Sequence, residues 1–191
     1  MATIRSSKPK NKAVDVNPVI TFRRQIKENL KWKRFQAVLE TSWNPLFDKF
    51  IDEIQASHRN RTVRHLGAQA MPTGKKVADA SMKDQAVRSR CVEIVMEVVR
   101  RRNFLAISMN TIETEIMSTY NSELIGLGAR SINDKKNLVH SLLGPAQKKL
   151  DALDTIREVA DLVIDDCDHA SFALKHCVDA LVVATKREFS H

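Results

Sequence analysis

Aromatic side chains make up only 5% of the 191 residues, and glycine and proline number five each. Strands draw on aromatic and β-branched side chains and tight turns draw on Gly and Pro, so this supply argues against a strand-rich fold. Cysteine is scarce and odd in number: Cys91, Cys167 and Cys177. The N-terminus, MATIRSSKPKNK, is charged and polar and has no apolar signal core. Reduced thiols and an intracellular setting, cytoplasm or virion, are therefore expected rather than secretion. No window approaches 18 uninterrupted apolar residues, so no transmembrane segment is expected. Also missing are a G-x-x-x-x-G-K-[ST] phosphate loop, a G-x-S-x-G nucleophile turn and a dinucleotide fingerprint.

What the chain does have is charge, unevenly spread. Residues 1–102 hold 22 Lys/Arg against 10 Asp/Glu, a net of +12, whereas residues 103–191 hold 9 against 13, a net of −4. A basic front half suits a polyanion, and opposite halves suit self-association. Hydrophobic content of 43%, carried by Leu, Val, Ile, Ala and Met, supports a proper core. The expected fold class is all-α, a single bundle of five to seven helices.

Residues 1–16 carry Arg5, Lys8, Lys10 and Lys12 with little apolar content and read as a flexible basic arm. Residues 17–191 read as one helical domain. Asn17-Pro18 and Asn44-Pro45 each look like an N-cap followed by Pro at the first helical position. The first would open a helix through Leu39. The second would lead the stripe Leu46, Phe47, Phe50, Ile51 and Ile54, with Gly67 as C-cap. Residues 68–80 read as an internal loop. Ser81-Met82-Lys83-Asp84 resembles a capping box for a helix ending at Arg100-Arg101-Arg102. Another helix would run from Asn110 to Gly126-Leu127-Gly128, and a short one from Ser131 to Leu143, closed by Gly144-Pro145.

From Ala146 onward there is neither Gly nor Pro. Leu153, Ile156, Ala160, Val163, Cys167, Ala170, Leu174, Cys177, Leu181 and Ala184 follow steps of three and four, a heptad seam. One long helix, or two broken at Asp165–His169, would pack inside its own bundle before it would pair with another chain.

The candidate nucleic-acid-binding residues are Lys8, Lys10 and Lys12 of the arm, and Arg23, Arg24, Lys27, Lys31, Trp32 and Arg34 of the first helix. Arg100, Arg101 and Arg102 are added, with Lys75-Lys76 secondary. In one continuous helix, positions 23, 27, 31 and 34 share a face that can follow a phosphate backbone, and Trp32 or Phe35 can stack on an unpaired base. Asp166-x-x-His169 has a carboxylate–His spacing used in di-iron bundles, but no second copy exists. Cys167 and Cys177 fall on the apolar seam, which makes His169 and His176 poor zinc candidates. No metal, cofactor or catalytic residue is expected.

Two resemblances touch function. Arg59-Asn60 followed by His65 resembles the R-N-spacer-H motif of HEPN-type ribonucleases, which implies Arg59 and His65 acting on a scissile RNA phosphate beside Asn60. Asp84-Gln85, Val98-Val99-Arg100, Phe104 and Ile112-Glu113 are similar to the last helix and following segment of rod-shaped plant-virus coat proteins. Trp43-Asn44-Pro45 is similar to a helix start there. That likeness implies RNA binding and self-assembly. The leading expectation is a non-enzymatic helical protein that binds a nucleic acid backbone, RNA before DNA, and assembles with copies of itself or with a helical partner. The alternatives are the ribonuclease and a structural protein using the C-terminal seam.

Overall fold

The computed structural model describes residues 17–40, 44–61, 63–66 and 73–188, and every secondary-structure element among them is helical. In chain order these are α1 (Pro18–Glu28), α2 (Leu30–Glu40), α3 (Asn44–Arg59), α4 (Val63–Leu66), α5 (Gly74–Thr119), α6 (Asn121–Gly126) and α7 (Ile132–Glu188). The basic arm with Lys8, Lys10 and Lys12, the Trp43 start signal and the Gly67 cap lie outside the described residues.

The first start signal holds. Asn17 accepts the Val19 N–H on Oδ1 at 3.0 Å, with Pro18 as the first helical residue. The expected single first helix does not form, because Asn29 breaks it. Its backbone is extended (φ −63°, ψ 131°), and its Oδ1 accepts the N–H groups of Lys31 at 2.8 Å and Trp32 at 3.3 Å. One Asn thus ends α1 and caps α2. Its Nδ2 also donates to Tyr120 Oη at 3.3 Å, tying the bend to the far end of α5.

Three expected boundaries vanish into α5. Residues 74–80, expected as part of a loop, are helical; the capping-box residues Ser81–Asp84 lie inside the helix, and so do Arg100–Arg102 and Asn110. The seam explains this. Val77, Ala80, Asp84, Cys91, Ile94, Val98, Leu105, Ile112 and Ile116 are all buried, in steps of three, four or their sum, seven. Breaking the helix at any of the local signals would have taken the next seam residue out of the core.

The same logic carries α7 past Gly144-Pro145. Its start is a reciprocal cap: Ser131 Oγ accepts the Asp134 N–H at 3.0 Å, and Asp134 Oδ2 accepts the Ser131 N–H at 3.1 Å. Pro145 deletes one helical N–H, but Leu143 (2% exposed) and Ala146 (0%) on either side are held in the core, so the helix continues. The expected break at Asp165–His169 is absent as well; α7 is one helix, about 85 Å long at 1.5 Å per residue.

α5 and α7 run antiparallel. Arg88 bonds Asp168, Arg102 bonds Asp154, and His140 faces Glu113, so one numbering climbs as the other falls. Gly128 turns the corner between them at φ +91°. The Ala129 N–H reaches Leu124 O at 3.1 Å and the Gly128 N–H reaches Ile125 O at 2.9 Å, a Schellman closure. The heptad residues Leu153, Ile156, Ala160, Val163, Cys167 and Leu174 are buried inside this hairpin, as the internal reading expected. Beyond them Cys177 is exposed and Leu181 is half-buried. Leu153→Ala, at a fully buried seam position, should cost about 2–5 kcal/mol in urea unfolding. Leu162→Ala, where the side chain is 67% exposed, should stay within about 0.5 kcal/mol. Equal losses at the two positions would mean that the seam is out of phase.

Candidate nucleic-acid interface

The bend at Asn29 decides which cations share a surface. Arg23 and Lys27 lie one turn apart on α1 and are joined by Lys33 of α2 around a groove of about 620 Å³. Its floor includes Ile26 and Trp32, and α7 closes it with Ser141, Leu142 and Pro145; Glu40 is the acidic residue of the lining. No ion pair among the described residues engages Arg23, Lys27 or Lys33. The expected four-cation face is thereby corrected. Breaking the helix rotates Lys31 and Arg34 away to a second groove beside α5, and Lys31 there meets Glu115 at 2.7 Å. Arg24 faces outward beside Glu28 at 3.3 Å.

Trp32 is corrected too. It is 7% exposed, tilted against Phe35 (6% exposed) with centroids 5.8 Å apart, so both rings belong to the core, and Trp32 lines the groove from there. The Arg triplet is not a free helix end. Arg102 Nε reaches Asp154 at 2.6 Å, and Arg100 and Arg101 both bond Glu97. Arg88 and Arg90 are likewise engaged, by Asp168 and by Glu53 with Glu93. Among the described residues, the cations of α5 outside its first turn largely serve intramolecular pairs, and those of the first groove do not.

A second charged centre was not foreseen. Arg61 is 2% exposed and grips the buried Asp84 with two bonds, Nε to Oδ1 at 2.7 Å and Nη2 to Oδ2 at 2.5 Å. It also bonds the Asp166 carboxylate, and the Asp166 carbonyl at 3.1 Å. His58 Nε2 lies 3.2 Å from the same carboxylate. This cluster pins the α3–α4 junction to the hairpin. A charge at seam position 84 was the available signal, because a buried carboxylate demands a buried cation. The capping-box pattern hid it.

Beside the cluster, Ser81, Gln85, Arg88, Asp168 and Ser171 line a pocket of about 210 Å³ that reaches Cys167. Burial pushes the Cys167 thiol up to about 11 and raises Cys91 as well, so neither offers a thiolate near neutral pH. Arg partners hold the Glu53 and Asp168 carboxyls below the usual range. Whatever stability those pairs give is therefore present above the ordinary carboxylate pKa and lost as the pH falls through the lowered one.

Of the ribonuclease residues, the described structure shows the side chain of Arg59 but not that of His65. Arg59 donates to Gln55 at 2.9 Å on the exposed side of α3. The segment that the coat-protein likeness places after a helix, Phe104 to Glu113, is itself helical within α5. Among the described residues no group of three or more His, Cys, Asp or Glu could hold a metal ion, and no helix is long and apolar enough to cross a membrane. The fold is thus that of an all-α protein built on an antiparallel two-helix hairpin. No family model, curated protein or solved structure matches the chain.

Arg61→Met should destabilise the protein by about 3–5 kcal/mol, because it strands a buried carboxylate. Adding Asp84→Leu should restore most of that loss in chemical denaturation. A single variant as stable as the parent would mean that the pair is hydrated rather than buried.

Proposed function

We propose that this protein binds the phosphate backbone of a nucleic acid, RNA before DNA, in the groove between α1, α2 and α7. The observation that carries the reading is the contrast in charge use. Arg23, Lys27 and Lys33 converge on one groove without carboxylate partners among the described residues, whereas Arg88, Arg90 and Arg102 of α5 are matched. Unmatched cations held close together repel one another, and a polyanion relieves that repulsion while releasing its own counterions. The spacing supports it: Arg23 and Lys27 rise about 6 Å apart along α1, which suits successive phosphates on one strand.

The basic residues that precede Asn17, Lys8, Lys10 and Lys12 among them, add to the same end of the chain. Association follows from the same binding. Copies gather as neighbours along one strand, rather than through the heptad seam, most of which α5 already occupies.

Replacing Arg23, Lys27 and Lys33 together with Gln should weaken binding to every sequence alike. It should also flatten the slope of log affinity against log salt by about 2 to 3 units, at roughly 0.7–0.9 per phosphate contact. Affinity measured by fluorescence anisotropy across a salt series checks this. An unchanged slope would contradict the assignment to this groove.

A further inference from the structure

The second groove, between α2 and α5, is a surface that backbone binding leaves unused. It encloses about 280 Å³, with Phe35, Val38, Ile107 and Ile112 as its apolar lining and Lys31 and Arg34 at its edge. Ile107 is 66% exposed, and Phe104, one turn earlier on the same face of α5, is 55% exposed. Open aromatic rings are rare here: among the described residues only Phe104 and Phe172 are so exposed. Phe172 sits on α7 beside His176, whose ring centroid is 4.4 Å away.

Charge and shape agree on what this face receives. Arg34 enters no ion pair among the described residues, and the Lys31–Glu115 pair lies at the surface, with the lysine side chain 61% exposed, where a phosphate competes on nearly even terms. An open phenyl ring next to such cations suits a flat base still attached to its phosphate. A duplex keeps its base faces inside its own stack and gains nothing from Phe104, whereas a single strand presents them. α2 separates the two grooves, with Lys33 on one flank and Lys31 and Arg34 on the other, so a strand crossing it meets both.

We infer that the ligand is a single-stranded nucleic acid, with a base stacked on Phe104 above the α2–α5 groove and neighbouring phosphates on Arg34 and Lys31. The inference rests on the backbone-binding reading and adds the strandedness of the ligand to it. It is tested on the full chain by anisotropy, with a fluorescein-labelled oligouridylate as the single strand and an RNA duplex of equal length as comparison. The parent protein should prefer the single strand. Phe104→Ala should weaken single-strand binding roughly 5- to 100-fold, within the range found for removal of one stacking aromatic, and leave duplex binding and the melting temperature unchanged. Phe104→Leu, which keeps apolar area but no ring, should behave like the Ala variant, and Phe172→Ala should change nothing. Duplex binding as tight as single-strand binding, or a silent Phe104→Ala, overturns the inference but leaves backbone binding standing if the Arg23/Lys27/Lys33 variant still loses affinity. Preference for polyglutamate over oligouridylate overturns it in favour of an acidic peptide. No binding to any nucleic acid overturns both readings.

Discussion

Along the hairpin, α5 and α7 each bury an apolar stripe that neither could leave in water, and they do so against one another. Val98, Leu105, Leu153 and Ile156 are all at or near zero exposure along this contact. Seam continuity outranks every local stop signal in either helix: a capping box, an Arg triplet, a Gly-Pro pair and a run of aspartates are all absorbed without a break. A boundary worth about 1 kcal/mol of capping cannot compete with several buried Leu, Ile and Val side chains at roughly 1.5–3 kcal/mol each. The remaining helices are placed by this hairpin. α3 is pinned to it through Arg61, and the α1–α2 bend is held at its turn by Asn29 and Tyr120.

How much of this was legible follows the same ranking. The helical class, the C-terminal seam and its internal destination could be read from the sequence, because a heptad stripe is a direct trace of a packed partner. The Asn17 N-cap and a helix start at Ser131 were legible because start signals are local. Internal boundaries were not, since each depended on a partner helix far away in sequence. Asn29 is the instructive miss. It sits between Glu28 and Leu30 in a run without Gly or Pro, and only its bonds to Lys31, Trp32 and Tyr120 reveal a break.

That miss carried over to the candidate site. The basic character of the first two helices was plain, but the residues that share a groove were not. With the helix broken, Lys33 joins Arg23 and Lys27, Lys31 and Arg34 move to the other side of α2, and Trp32 turns into the core. Position 84 failed differently, because one Asp matched two patterns and the local one was misleading. The net charge of +8 therefore says less than its allocation: five arginines of α5 are spent on carboxylates, whereas Arg23, Lys27, Lys33 and Arg34, on either side of the α1–α2 bend, enter no ion pair among the described residues.

We propose that a nucleic acid strand lies across α2, which has a groove on either flank. Amide hydrogen exchange with and without a saturating single-stranded oligonucleotide tests it most directly. Exchange should slow in residues 18–40, in α7 near Ser141–Ala146 and in α5 near Phe104–Ile112, with no change in residues 160–180. Protection confined to residues 160–180, or absent from residues 18–40, would contradict it.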